Sequence, residues 1–212
     1  MSKYYTNVSV NNGKILYRGI NNGRKVSQRV SYSPTLFLST QKKSKWKTLF
    51  NESLEPMRFE GIREARDFVK KYEYVDNFKI YGNTRYEYAF ISDNQRGTID
   101  WDLPEITIAI IDIEVYSEDG FPDPVLANEP ITAIAVNKLN RGTTVYGCNE
   151  YKNNDETVTY VQCDNEVDLC KKFVTDWQKD YPDVVTGWNT KFFDIPYLIH
   201  RFRKILGEEF CK

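Results

Sequence analysis

"ITIAIIDIEVYSEDGFPDP", residues 106–124, decides how the second half of the chain folds. Residues 106–115 are apolar at both alternating sets of positions, which predicts a central strand covered on both sides. Asp112 and Glu114 break that pattern. Two residues apart on a strand, they share a face with Cα atoms about 6.6 Å apart. Burying their charge without compensation costs several kcal/mol. Three readings remain open. The pair binds a divalent cation, which takes hard oxygen ligands; it works as an acid–base couple; or the strand end meets water.

Working outward, "PITAIAVNKL" (130–139) and "TTVYGC" (143–148) read as two further strands, close enough in sequence for an antiparallel meander. Val167, Leu169, Cys170, Phe173, Val174 and Trp177 mark one side of a helix over 165–181, begun near Asn165. "DVVTGWN" (183–189) reads as a short buried strand. "DIPYLIHRFRKILG" (194–207) is a second helix, with Pro196 in its first turn and Gly207 as its C-cap. Asp194 at that helix start has an ordinary reading as N-cap. If the 183–187 strand neighbours the 106–115 strand, however, Asp194 leaves the same sheet edge as Asp112 and Glu114. Open α/β sheets place their ligands at that edge. Two divalent ions there can activate water and stabilise a leaving oxygen in phosphodiester cleavage. The single histidine, His200, reads as a packing residue. Phe121 by itself is uninformative. Neither a Ser/His/Asp triad spacing nor a glycine-rich phosphate loop is present.

The first half has a different grammar. Two NNG turns, at 11–13 and 21–23, separate strand-like runs and predict a meander of about three strands. Another strand follows at 35–40. Lys42, Lys43, Lys45 and Lys47 surround Trp46, a pattern that suits nucleic acid and equally suits a solvated hairpin. Residues 62–75 have the spacing of an amphipathic helix. Residues 78–82 and 86–92 read as strands, and the polar run 93–105 as a linker. Residues 1–104 carry a balance of +7 and residues 105–212 a balance of −8, against a net charge of −1. A basic module and an acidic one are expected to do different work.

A length of 212 residues suits one or two domains. No run approaches the roughly 18 apolar residues of a membrane span, and no secretory h-region opens the sequence. Cys148, Cys163, Cys170 and Cys211 form no CxxC pair, which argues for a reduced, cytoplasmic protein.

With these residues in view, "DIEVYSEDGFPDP" resembles the first exonuclease motif of family B DNA polymerases, most closely the T-even phage type. "TGWNTKFFDIPYL" is similar to the second motif, N-x3-F-D, here Asn189, Phe193 and Asp194. "YSPTLFL" (32–38) resembles part of the family's N-terminal domain. The resemblance implies an α/β chain: an α+β N-terminal domain over 1–104, then an incomplete RNase H-like 3′→5′ exonuclease domain with a mixed sheet over 105–212. Asp112, Glu114 and Asp194 match metal ligands of a two-metal Mg²⁺ site. Asn189 and Phe193 match positions around the primer 3′ end, and Phe121 one beside the terminal nucleotide. The implied partners are DNA, as primer end and single-stranded template, with no membrane; the implied place is the cytoplasm of a host cell.

The family's third exonuclease motif, Y-x3-D, and its polymerase motifs have no match in the sequence. The chain is therefore expected to be an N-terminal fragment or split subunit of a phage-type polymerase, inactive alone and completed by a second polypeptide. Two other readings stay open: a single-strand-binding module without catalysis, and a stand-alone nuclease with Asp123 or Glu208 as substitute acid.

Overall fold

The structure, a computed structural model, describes residues 3–118 and 120–210; Asp119 and Cys211, both within stretches named above, lie outside the described residues. The chain forms two compact units, Met1–Glu105 and Ile106–Lys212.

In the first unit, β1 (Lys3–Asn11), β2 (Lys14–Asn21) and β3 (Arg24–Val30) form an antiparallel sheet. Asn12 and Gly13 have φ of 49° and 76°, and Asn22 and Gly23 have 52° and 71°. That left-handed pair is what a two-residue type I′ hairpin requires, so each NNG turn fixes the register of its hairpin. A second sheet follows, from β4 (Thr35–Ser39), β5 (Trp46–Lys47), β6 (Ser53–Arg58) and, after α1 (Ile62–Tyr72), β7 (Ile80–Tyr81). Its order is β5-β6-β4-β7. Strand β6 has no clear alternation and contains Pro56, which hid it from the sequence reading.

Residues 86–92, expected as a strand, are instead in α2 (Tyr86–Asn94). Aromatic spacing misled here, because Tyr86 and Phe90, four apart, fit a helix face equally well. Packing decides the matter. Phe90 meets Tyr32 and Tyr17 edge-on, with ring centroids at 5.5 and 6.4 Å, and Tyr32 Oη donates to Asp93 Oδ2 at 2.6 Å.

The second unit is built on a five-stranded mixed sheet. Its strands are β8 (Ile108–Val115), β9 (Ile131–Lys138), β10 (Gly142–Gly147), β11 (Val158–Gln162) and β12 (Val184–Thr186), in the order β11-β10-β9-β8-β12. The meander β8–β9–β10 is antiparallel, whereas β11 runs parallel to β10 and β12 parallel to β8. The short strand β11 escaped the sequence reading. Helices α3 (Glu166–Lys179) and α4 (Asp194–Leu206) cover one face of the sheet. Asn165 caps α3 by accepting from Asp168 N, and Gly207 ends α4 at φ 87°.

The strand that opened the sequence reading is covered on one side only. Ala109, Ile111 and Ile113 are buried with Ile134, Val136, Leu169, Phe173 and Leu198. The intervening Ile110, Asp112 and Glu114 are exposed, Ile110 by 44%. The expectation of two covered faces is corrected, and with it the premise that both acids are buried. Strand β12, expected to be buried, is also exposed along its length, because it is the edge of the sheet.

Candidate active site

Strand β8 sets the geometry. Alternation sends Asp112 and Glu114 to the open face. Directly across on β9 stand Ala135 and Ala133. Their methyl groups leave the ground beside each carboxylate uncrowded, a signal present in "ITAIAVNKL" but not read from it.

Asp194 reaches β8 from the side. The ladder between β12 and β8 ends at Thr186 opposite Ile110. Gly187 follows, and a Cβ there would lie 2.4 Å from Ile111 O and 2.3 Å from Thr190 Oγ1. Only glycine lets the chain turn this close to the strand. Asn189 has φ 55°, and its carbonyl accepts from Phe192 N and Phe193 N at 3.0 and 2.9 Å. This turn starts α4 and drops Asp194 beside the unpaired stretch of β8. Its Oδ1 accepts from Ile113 N at 3.2 Å, where a longer neighbouring strand would have supplied a carbonyl. The cap position belongs to Phe193, without a side-chain cap bond, so the N-cap reading of Asp194 does not describe the structure.

Asp194 is 2% exposed. Burial pushes its carboxyl above the usual carboxylate range, and the charge of Asp112 adds to the rise; the backbone donors Asp194 N and Ile113 N oppose it. Asp194 thus feels the charge of Asp112. A cation between them would relieve both the burial and the repulsion. Among the described residues, no three His, Cys, Asp or Glu side chains form a metal-holding group, so Glu114 does not close a three-acid cluster with these two.

The aromatic residues do converge. Phe121 and Phe193 lie with ring centroids 4.7 Å apart, and Phe193 meets Tyr197 at 5.5 Å. Phe121 is largely exposed, so its outer face is open to a flat ligand. Asn189 is exposed and fixed mainly by its backbone. Asp123 is already committed: its Oδ1 accepts from Val125 N and Leu126 N at 2.7 and 3.0 Å. Glu208 lies beyond the far end of α4, 3.9 Å from Arg203 Nε. Neither supports the substitute-acid reading. His200 Nδ1 lies 2.8 Å from Pro124 O, a packing role.

Two features went unread in the sequence. Arg201 grips both carboxylate oxygens of Glu166 at 2.7 Å and donates to the carbonyls of Ala127 and Asn128. Glu166 Oε1 also accepts from Ile131 N. This network ties α3, α4 and the start of β9 behind the site. Beside β12, the hydroxyl of Thr190, 8% exposed, finds no hydrogen-bond partner. It borders a groove of about 370 Å³ lined by Val185, Thr186, Gly187, Ile195 and Ile199.

Residues 47–212 match the exonuclease domain of DNA polymerase family B. Over its whole length the chain is 28% identical to the DNA-directed DNA polymerase of Enterobacteria phage T4 and 29% identical to that of Escherichia phage RB69. It spans about a quarter of these relatives, 26% and 27%. The family B DNA polymerase from the hyperthermophilic archaeon Pyrobaculum calidifontis shares the fold, with a TM-score of 0.69 at 17% identity, over 98% of this chain and 33% of that one. A mixed sheet of the RNase H-like exonuclease type and a family match over most of the sequence agree: the chain belongs to the exonuclease-domain family of family B DNA polymerases.

Proposed function

We propose that this chain supplies part of a Mg²⁺-dependent 3′→5′ exonuclease site in a phage-type DNA polymerase and is inactive by itself. The observation that carries the reading is the seat of Asp194: a buried carboxylate, bonded to the backbone of β8, beside Asp112 on the sheet's open face. Protein stability alone gives no reason for such a seat. A divalent cation bound there would supply the Lewis acidity for phosphodiester hydrolysis. Asp112 and Asp194 would hold it, and Glu114, on the same face of β8 as Asp112, would join them only in the completed domain. Phe121 and Phe193 would pack against the terminal nucleotide, and Asn189 would line the entry. Residues 1–104 would serve as the polymerase's N-terminal domain, contacting template phosphates. The setting would be the host cell cytoplasm.

Incompleteness is supported by the open ground around the acids. The outer edge of β12 is unpaired in the sheet order. Val184, Val185, Trp188, Phe192 and Ile110 are exposed around it. A further ligand and a further layer would come from polymerase sequence outside these 212 residues, in the same or a second polypeptide.

The test is digestion of a 5′-labelled single strand with Mg²⁺. The chain alone should release no nucleotide. Addition of the remaining exonuclease segment should restore stepwise release, abolished by Asp112→Ala or Asp194→Asn. Turnover by the unaided chain would overturn the claim of incompleteness. Activity of the completed assembly with all three acids replaced would overturn the site. Binding of DNA that never leads to cleavage in the completed assembly would favour a binding module.

A further inference from the structure

The hairpin between β5 and β6 has no part in the site described above, yet its construction is specific. Residues 41–52 contain four lysines and one acid, Glu52. At the tip, Leu49 is 101% and Phe50 89% exposed. They are held out by the turn itself. Thr48 N donates to Glu52 O at 2.9 Å, and Thr48 Oγ1 accepts from Phe50 N and Glu52 N at 3.2 Å each. Asn51 takes φ 70° and accepts from Lys47 Nζ at 2.7 Å. Behind the tip, Trp46 packs against Phe37 in a tilted arrangement, centroids 5.1 Å apart, and remains 44% exposed. Lys45 Nζ stands 5.3 Å over its ring.

Lysines on an edge strand often only deter sheet-to-sheet aggregation. A protective edge would not display a leucine and a phenylalanine to solvent. The combination of flat apolar faces and closely spaced lysines matches a polyanion with exposed flat bases. We propose that the hairpin over residues 41–52 is a binding site for single-stranded nucleic acid. Phe50 and Trp46 stack on bases, and Lys42, Lys43 and Lys45 meet phosphates. Lys45 leaves the indole as a base arrives, exchanging a weak cation–π contact for a phosphate.

The experiment uses the 212-residue chain in EDTA at low salt, with a fluorescent oligothymidylate of about 16 nucleotides. EDTA separates this site from the exonuclease reading. Phe50→Ala with Leu49→Ser should weaken binding about ten-fold. An abasic oligomer of equal length should bind parent and variant alike. Replacing Lys42, Lys43 and Lys45 by alanine should lower the slope of log K against log salt by about 2. Should the tip variant melt early, the parent's preference for oligothymidylate over the abasic strand still decides. No binding by the parent, or equal binding by parent and both variants, overturns the proposal. So does loss of binding to phosphatidylserine vesicles in the tip variant with DNA affinity unchanged, which would make the hairpin a membrane contact.

Discussion

The two faces of the sheet in the second unit are made from the same strands and treated in opposite ways. On the covered face, Ile111 and Ile113 stand opposite Val136 and Ile134, and α3 and α4 seal them. On the open face, Asp112 and Glu114 stand opposite Ala135 and Ala133. One face spends its residues on packing; the other withholds packing and presents carboxylates. Packing and charge are thereby separated across the thickness of one strand, with the buried Asp194 at its edge.

The sharpest way to break this contrast is to mutate neighbours. Ile111→Ala should cost about 3–4 kcal/mol in chemical denaturation, as buried isoleucine truncations do. The adjacent Ile110→Ala should cost under about 0.5 kcal/mol. Similar losses at both would mean that the open face is not open. Next in size, Arg201→Ala should cost about 3 kcal/mol, since it strands the largely buried Glu166 carboxylate. A Lys at 201 should recover only part of this, because a point charge cannot reproduce the bidentate grip. Gly187→Ala should cost about 2 kcal/mol, through collision with the Ile111 carbonyl. Its mark would be amide exchange at Ile113, which should speed up if Asp194 is pushed from its seat.

Smaller still, Asp112→Ala and Glu114→Ala should change stability by no more than about 0.5 kcal/mol while removing metal-dependent function from the completed assembly. A large stability loss would move them to the structural side of the comparison.

A last prediction concerns alkaline pH. Burial pushes the Cys170 thiol up to about 12 and raises Cys163 and Cys148 as well. In the unfolded chain these thiols ionise near 8.5. Their contribution is fully present below that value and lost as pH rises through the folded range. The second unit should therefore lose stability above about pH 8.5, and Cys170→Ala should flatten that decline in melting temperature.

How much was legible depended on whether the signal was local. Both NNG hairpins, α1, α3, α4 with its glycine cap, and the meander β8–β9–β10 could be read, because turn chemistry and periodicity are written within a few residues. The helix α2 could not, since Tyr86 and Phe90 suit two periodicities and only Tyr17 and Tyr32 choose between them. The Glu166–Arg201 pair was invisible for the same reason: its two members lie 35 residues apart. At the site, Asp112 and Glu114 announced themselves by standing in an apolar run. Asp194 carried two meanings until β12 was found beside β8.

By itself, the sequence determined most of the elements and the residues of the two motifs, because side-chain identity and spacing are local properties. Only the tertiary structure decided which face of β8 is covered and that β12 is an exposed edge. It also decided that Asp194 is held against Ile113 rather than capping its own helix. Those outcomes depend on which distant segments occupy the space beside a strand, and a strand's own residues do not say who their neighbours will be.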